Sequence, residues 1–223
     1  MTTARTVVVG LVLLLVCAGN AFGQNAGPGS YAGVRVGSST LDTPIRNRDG
    51  GGLPAYDRDT ITWAVFGGHE WPVGRHLLVG GEVGYSDNGA ATLTYVVPET
   101  FEFTSRQFDV LGSMTVVRRR LAVGVKAGVG VTREQYRLTG AGGATPALIS
   151  ERTRNLPVVA LTFGYGLGKR VAFCMDFRRT FGDVASTLNA AFTNPTPAPA
   201  RTGEVLNSVS RVTGLSAGLR VRF

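Results

Sequence analysis

Residues 216–223 read Ser216-Ala217-Gly218-Leu219-Arg220-Val221-Arg222-Phe223, the end of an alternating stretch that begins at Val212. Successive side chains of an extended strand point to opposite sides. Val212, Gly214, Ser216, Gly218, Arg220 and Arg222 therefore share one face, and Thr213, Leu215, Ala217, Leu219, Val221 and Phe223 share the other. Chain ends are usually a few disordered polar residues. Here Phe223 instead completes an apolar face opposite a small and charged one, the pattern of a strand set between lipid and a wet lumen. The stretch predicts that this strand faces a bilayer.

The amino-terminal segment agrees. Met1–Arg5 is short and basic, Val7–Val16 is an apolar run broken only by Gly10, and Ala21-Phe22-Gly23 offers the small residues a signal peptidase reads. The run is too short to span a bilayer as a helix, which needs about 20 apolar residues. Residues 1–23 are expected to be a cleaved secretory signal and residues 24–223 a single outer-membrane domain. A lipoprotein reading through Cys17 suffers from the bulky Val16 before it. Cleavage leaves Cys174 alone, so no intrachain disulfide is expected.

Glycine accounts for 31 of 223 residues, about twice the usual share of about 7%, and falls inside alternating segments with no collagen-like period. The net charge is +8, and removing residues 1–23, whose one charged residue is Arg5, leaves +7. Nucleic acid is not an expected partner, since an exported chain rarely meets it and no basic motif is interleaved with aromatics. Anionic lipid or lipopolysaccharide phosphate fits the excess better, with simple solubility as the alternative.

Period-two alternation marks eight segments. They fall near Ser30–Ser38, Thr60–Glu70, Leu77–Ser86, Phe101–Val117, Leu121–Thr132, Val159–Leu167, Val171–Arg178 and Val212–Phe223. The fifth is the cleanest, with Leu121, Val123, Val125, Ala127, Val129 and Val131 against Gly124, Lys126, Gly128, Gly130 and Thr132. The second is the weakest, because Ala64 and Phe66 oppose Ile61, Trp63 and Val65. Trp71–Gly74, Arg118–Arg120 and Gly168–Arg170 read as tight turns; Ser39–Asp59, Asp87–Thr100, Leu138–Ser150 and Val184–Leu206 read as long loops.

This rhythm predicts an all-β fold: an eight-stranded antiparallel up-and-down transmembrane β-barrel with short periplasmic turns and long extracellular loops. The sheet must close, because each unpaired backbone group in hydrocarbon costs several kcal/mol. Trp71, Tyr165, Phe173 and Phe223 are expected at the periplasmic interface, with Tyr85, Phe101, Phe103, Tyr136 and Phe181 at the outer one. The soluble rival, a lipocalin-type barrel, would turn its apolar residues inward. Glycine on the other face, where a soluble exterior needs dense polar residues, speaks for the membrane.

With these features in place, the mature chain resembles the small outer-membrane β-barrel family typified by the transmembrane domain of outer membrane protein A. Eight strands, a glycine-rich inner face and Phe223 carry the likeness. The order Ser216, Gly218, Val221, Phe223 also resembles the terminal signal read by the barrel-assembly machinery, which the likeness makes a partner. It implies no cofactor. The chain stops at Phe223, so the peptidoglycan-binding domain that often follows such a barrel is not expected.

The inward set predicted from parity is Arg35, Glu82, Asp109, Lys126, Asp176, Arg178 and Arg220. Isolated buried charges are very costly, so three acids and four bases in a narrow lumen are expected to pair into a plug. They either satisfy one another around trapped water or re-pair as the gate of a narrow pore. No catalytic residue is expected. A lipid A-modifying enzyme would want a His-x-Ser pair or a rim histidine, yet His69 and His76 flank a periplasmic turn. With Glu70 they make only a weak metal motif, so no metal site is expected. Asp57, Asp59 and Asp87 occur singly in stretches read as loop.

Arg46, Arg48, Arg58, Arg133, Arg137, Arg152, Arg154, Arg179, Arg201 and Arg211 are expected to ring the outer face. Of these, Arg133, Arg137, Arg152 and Arg154 are the candidate lipopolysaccharide contacts, since guanidinium matches phosphate bidentately. Arg118-Arg119-Arg120 is read as a solvated turn. The expected function is a structural or surface-interaction role through the outer loops, toward an extracellular ligand the sequence does not encode. The alternatives are a gated small-solute pore and a lipid A-modifying enzyme.

Overall fold

The computed structural model describes residues 28–42, 55–57, 59–94, 100–139, 147–182 and 211–223. The expected signal, Arg46, Arg48, Arg58, Arg201 and the side chains of Phe101 and Tyr136 lie outside what is described. The strands are β1 Gly29–Asp42, β2 Ala55–Asp57, β3 Asp59–Pro72, β4 Leu77–Thr94, β5 Thr100–Arg118, β6 Leu121–Thr139, β7 Ala147–Gly166, β8 Val171–Thr180 and β9 Arg211–Arg222. Every pairing is antiparallel, and β1 closes on β9 with Tyr31 opposite Arg222.

Among the described residues the eight long strands form one closed barrel in chain order. The three-residue β2 extends β3 as a partner of β4. Following the register once around returns to the starting strand displaced by about ten residues, the stagger that eight tilted strands need in order to close. No helix among the described residues is long and apolar enough to cross a membrane, which bears only on helices.

One end of the barrel is built from tight turns. Val73 N donates to Leu77 O at 2.9 Å and Leu167 N to Val171 O at 2.9 Å. In the middle turn Arg119 takes φ 57°, the left-handed region that Gly and Asn usually fill.

Apolar side chains point outward along nearly every strand. Ile61 is 76% exposed, Val110 57% and Phe163 45%, within a belt that encircles the molecule. Soluble monomers rarely expose apolar patches beyond a few hundred Å². The belt settles the orientation that alternation left open: apolar outside, glycine and charge inside. Glycine is required inside because strands and long side chains converge there. A Cβ at Gly218 would strike the Val34 carbonyl and the Arg35 backbone, and one at Gly130 the Gln107 side chain.

Three sequence expectations change. The stretches Asp87–Thr100 and Leu138–Ser150 are entered by strand from both ends, since β4 runs to Thr94, β5 starts at Thr100, β6 runs to Thr139 and β7 starts at Ala147. Polar, turn-prone sequence there is tolerated because ladder hydrogen bonds to at least one neighbouring strand hold it extended. Asp87 does bond the backbone N–H of Gly89 at 3.0 Å, but within a bulge where Gly89 has φ 82°. Phe103 is 3% exposed and inward, so it leaves the outer girdle, whereas Trp71, Tyr165, Phe173 and Phe223 are exposed outward near the turns.

Candidate functional site

The interior is stacked in layers, each fixed by strand parity. At mid-height Arg35 on β1, Glu82 on β4, Lys126 on β6 and Asp176 on β8 converge. Lys126 Nζ lies 2.7 Å from Glu82 Oε2 and 3.2 Å from Asp176 Oδ2. Arg35 pairs with Asp176 directly and with Glu82 at 3.5 Å. The quartet is neutral, and none of its side chains exceeds 7% exposure. The Phe66 ring backs it, with the Arg35 guanidinium 4.1 Å and the Lys126 ammonium 5.6 Å from its centroid. Tyr31 OH donates to Glu82 at 3.1 Å. Two cations facing two anions, one aromatic face and a hydroxyl leave little of the desolvation cost unmet.

Toward the turns, Glu70 on β3 holds Arg222 at 2.5 Å and Arg220 at 3.3 Å. The Arg220 guanidinium also lies 4.8 Å from the Tyr31 ring centre. Toward the other end Asp109 pairs with Arg178 and accepts from Gln107 Nε2 at 2.5 Å, while Thr180 donates to Gln107 at 3.1 Å. Above these, Ser39 donates to the Asn88 carbonyl at 2.8 Å.

Two small cavities flank the quartet. One of about 30 Å³ is lined by Arg35, Ser86, Asn88, Asp176, Arg178 and neighbours; another of about 10 Å³ is lined by Arg35, Phe66, Glu70, Lys126, Cys174 and Arg220 among others. A water needs roughly 10–15 Å³ of such space, so each has room for one or two. Arg35 lines both and stands between them.

All seven residues expected in the lumen face it. Arg35, Glu82, Lys126 and Asp176 form one cluster, Asp109 and Arg178 another, and Arg220 joins Glu70. Glu70, Arg222 and Glu134 are buried inside as well and were missed. Parity could have found them: Glu70 shares a face with Phe66, Arg222 with Arg220, and Glu134 with Lys126 and Thr132. Glu70 had instead been grouped with the histidines on chain proximity alone.

The four candidate lipopolysaccharide contacts sit on strands and do not form one ring. Arg133 is exposed on the outer face, where its guanidinium reaches Glu151 at 2.7 Å and Gln135 supports the same carboxylate at 2.9 Å. That hydrogen bond from Arg133 holds the Glu151 carboxyl below the usual carboxylate range. Arg137 is exposed too. Arg152 and Arg154 alternate to the lumen side, paired in register with Glu134 and Thr132, because β7 starts earlier than its sequence suggests. Arg179 stands outward, 5.4 Å from the Phe181 ring centre.

The His69 ring lies tilted against Trp71, centroids 4.6 Å apart, and its Nδ1 lies 2.9 Å from Ser30 Oγ, a cross-strand neighbour that no His-x-Ser scan would reveal. The pair sits on the outer face at the turn end. Among the described residues no three His, Cys, Asp or Glu side chains gather as metal donors.

Closure, apolar exterior and ion-paired lumen define an eight-stranded transmembrane β-barrel. No protein-family model matches the chain, and no curated protein matches it. Among solved structures it is similar to neisserial surface protein A, with 13% identity over 88% of this chain and 99% of that one and a TM-score of 0.49. It is also similar to Ail, the attachment invasion locus protein of Yersinia pestis, at 9% identity over 87% and 99% of the two chains, with a TM-score of 0.46. The fold assignment rests on the chain's own register and exterior.

Proposed function

We propose that this chain is an integral protein of a Gram-negative-type outer membrane, exported behind a cleaved signal. Its role is structural or one of surface interaction, without catalysis, and the buried ion pairs close its lumen. The observation that carries this is the asymmetry of the barrel. One end stops in tight turns beside exposed Trp71 and Phe223, whereas at the other β5, β6 and β7 run on past the apolar belt. From Val131 to Thr139 the extension stands roughly 20 Å beyond the belt, given about 3.4 Å per residue and the tilt of the strands. Its outward side chains are polar and braced, Arg106 on Asp87 at 3.2 Å and Arg133 on Glu151. A stiff polar palisade above a bilayer suits contact with a surface ligand. Lipopolysaccharide phosphate is the proposed neighbour of Arg133 and Arg179 at its base, and the barrel-assembly machinery the proposed partner in insertion.

Membrane fractionation combined with heat-modifiable gel mobility tests the reading. The folded protein should sediment with outer membranes and run at different mobility before and after boiling. A stable detergent-free monomer would overturn it. The pore reading has one observation in its favour, the cavities on either side of Arg35. Steady single-channel conductance above leak in planar bilayers would establish a pore; a silent bilayer supports the closed barrel.

A further inference from the structure

The turn end carries an unbalanced charge. Val73–His76 contributes Arg75, the middle turn Arg118, Arg119 and Arg120, and Leu167–Arg170 contributes Lys169 and Arg170, with no Asp or Glu in any of these turns. All six cations are exposed, and none has an ion-pair partner among the described residues. Glu70, just before the first of these turns, is turned into the lumen and taken by Arg220 and Arg222.

The turns are also fastened to one another. Val117 N donates to His76 O at 2.7 Å, Gly166 N to Arg120 O at 2.8 Å, and Arg222 N to Arg170 O at 2.8 Å. The turn backbones that carry the cations are thus tied into one arc, and Arg119 keeps its left-handed backbone where Gly or Asn would be easier. Solubility alone does not explain the arc, because apolar side chains stand among the charges. Val73 is 64% exposed, Leu167 55% and Trp71 56%. Cations beside exposed aromatic and aliphatic groups, at the edge of a lipid-facing belt, are the chemistry of a bilayer interface rather than of open water.

We propose that this arc is a binding collar for anionic phospholipid headgroups, such as phosphatidylglycerol, in the periplasmic leaflet. Arg75, Arg119, Arg120, Lys169 and Arg170 take the phosphates, while Trp71, Val73 and Leu167 rest in the upper acyl region. The inference rests on the outer-membrane reading for its orientation. An acidic periplasmic polymer is the competing occupant. The committed choice is lipid, because a polymer lying in water gives Val73 and Leu167 nothing to enter.

Trp71 is a built-in reporter, since Trp63 is the only other tryptophan. The full chain carrying Trp63→Phe would be reconstituted in phosphatidylcholine vesicles containing brominated phosphatidylglycerol or, separately, brominated phosphatidylcholine. Heat-modifiable mobility would first verify a folded, inserted barrel; failure there counts against the outer-membrane reading, not the collar. In the inserted protein brominated phosphatidylglycerol should associate about fivefold better than its bulk fraction predicts, as attraction of a lysine or arginine to an anionic surface implies. The preference should fall toward one in high salt and in the variant R75Q/R119Q/R120Q/K169Q/R170Q. Equal quenching by the two lipids in the inserted protein would overturn the proposal, whether or not that variant folds. So would retention on peptidoglycan sacculi through these side chains without any lipid preference.

Discussion

Glu82→Gln removes one of the two acids in the central quartet. The carboxylate is 2% exposed, lies 2.7 Å from Lys126 and 3.5 Å from Arg35, and accepts from Tyr31 at 3.1 Å. In the variant Asp176 faces both cations alone, so the middle of the barrel carries one uncompensated positive charge. Stripping one partner from a buried pair costs about 3–5 kcal/mol. The lower end applies, because Asp176 still reaches Lys126 at 3.2 Å and Arg35. About 3 kcal/mol is somewhat more than a hundredfold in the folding equilibrium. Urea titration in vesicles, read by tryptophan emission and by heat-modifiable mobility, measures the loss. Lys126→Met on its own should cost a similar amount by stranding an acid. The double variant is neutral again and keeps an apolar stem on Phe66, so it should lose no more than about 1–2 kcal/mol, well short of the sum. A Glu82→Gln loss below about 1 kcal/mol, or strict additivity in the double variant, would refute the claim that these four charges form one interdependent unit.

Gly218→Ala should destabilise by more than about 2 kcal/mol, because the new methyl meets the Val34 and Arg35 backbone; Gly112→Ala, whose nearest neighbour lies 3.8 Å away, should stay within about 0.5 kcal/mol in the same titration. Val110→Arg places a charge on the lipid face, 57% exposed, and should cost about 2–4 kcal/mol in vesicles. The buried Cys174 thiol should resist maleimide in the folded barrel and react after denaturation; rapid labelling of the folded protein would reveal a lumen open to reagents. The Glu151 carboxyl is depressed by Arg133 in the folded state, so whatever it contributes is present above the ordinary Glu range and is lost as pH falls through its lowered value. Glu151→Gln should therefore leave the unfolding profile between about pH 5 and 8 unchanged in shape, and a new inflection in that window would contradict the assignment.

Parity made much of the lumen legible. Once Val123, Val125 and Val129 are assigned to one face, Lys126 must lie on the other, and the same rule places Asp109 and Asp176. It worked because the barrel is regular through the belt, where side-chain period and ladder register cannot drift apart. It was misapplied at Glu70, where nearness in the chain to His69 suggested a shared site although adjacent strand residues point apart. It also stopped short at the outer end. There Arg152 and Arg154 lay between a loop read as ending at Ser150 and a strand read as starting near Val159, since polar alternation in water looks the same whether or not the backbone is paired.

Eight alternating segments, the tight turns between them and the sharing of faces are all legible in the residues alone, because each is a local property of an extended chain. Which face looks inward, how far β5 to β7 rise above the lipid, and which acid meets which base were decided only by closure. Arg35 and Asp176 are 141 residues apart in the chain, and only the stagger of a closed eight-stranded sheet brings them to the same height across a space one side chain wide.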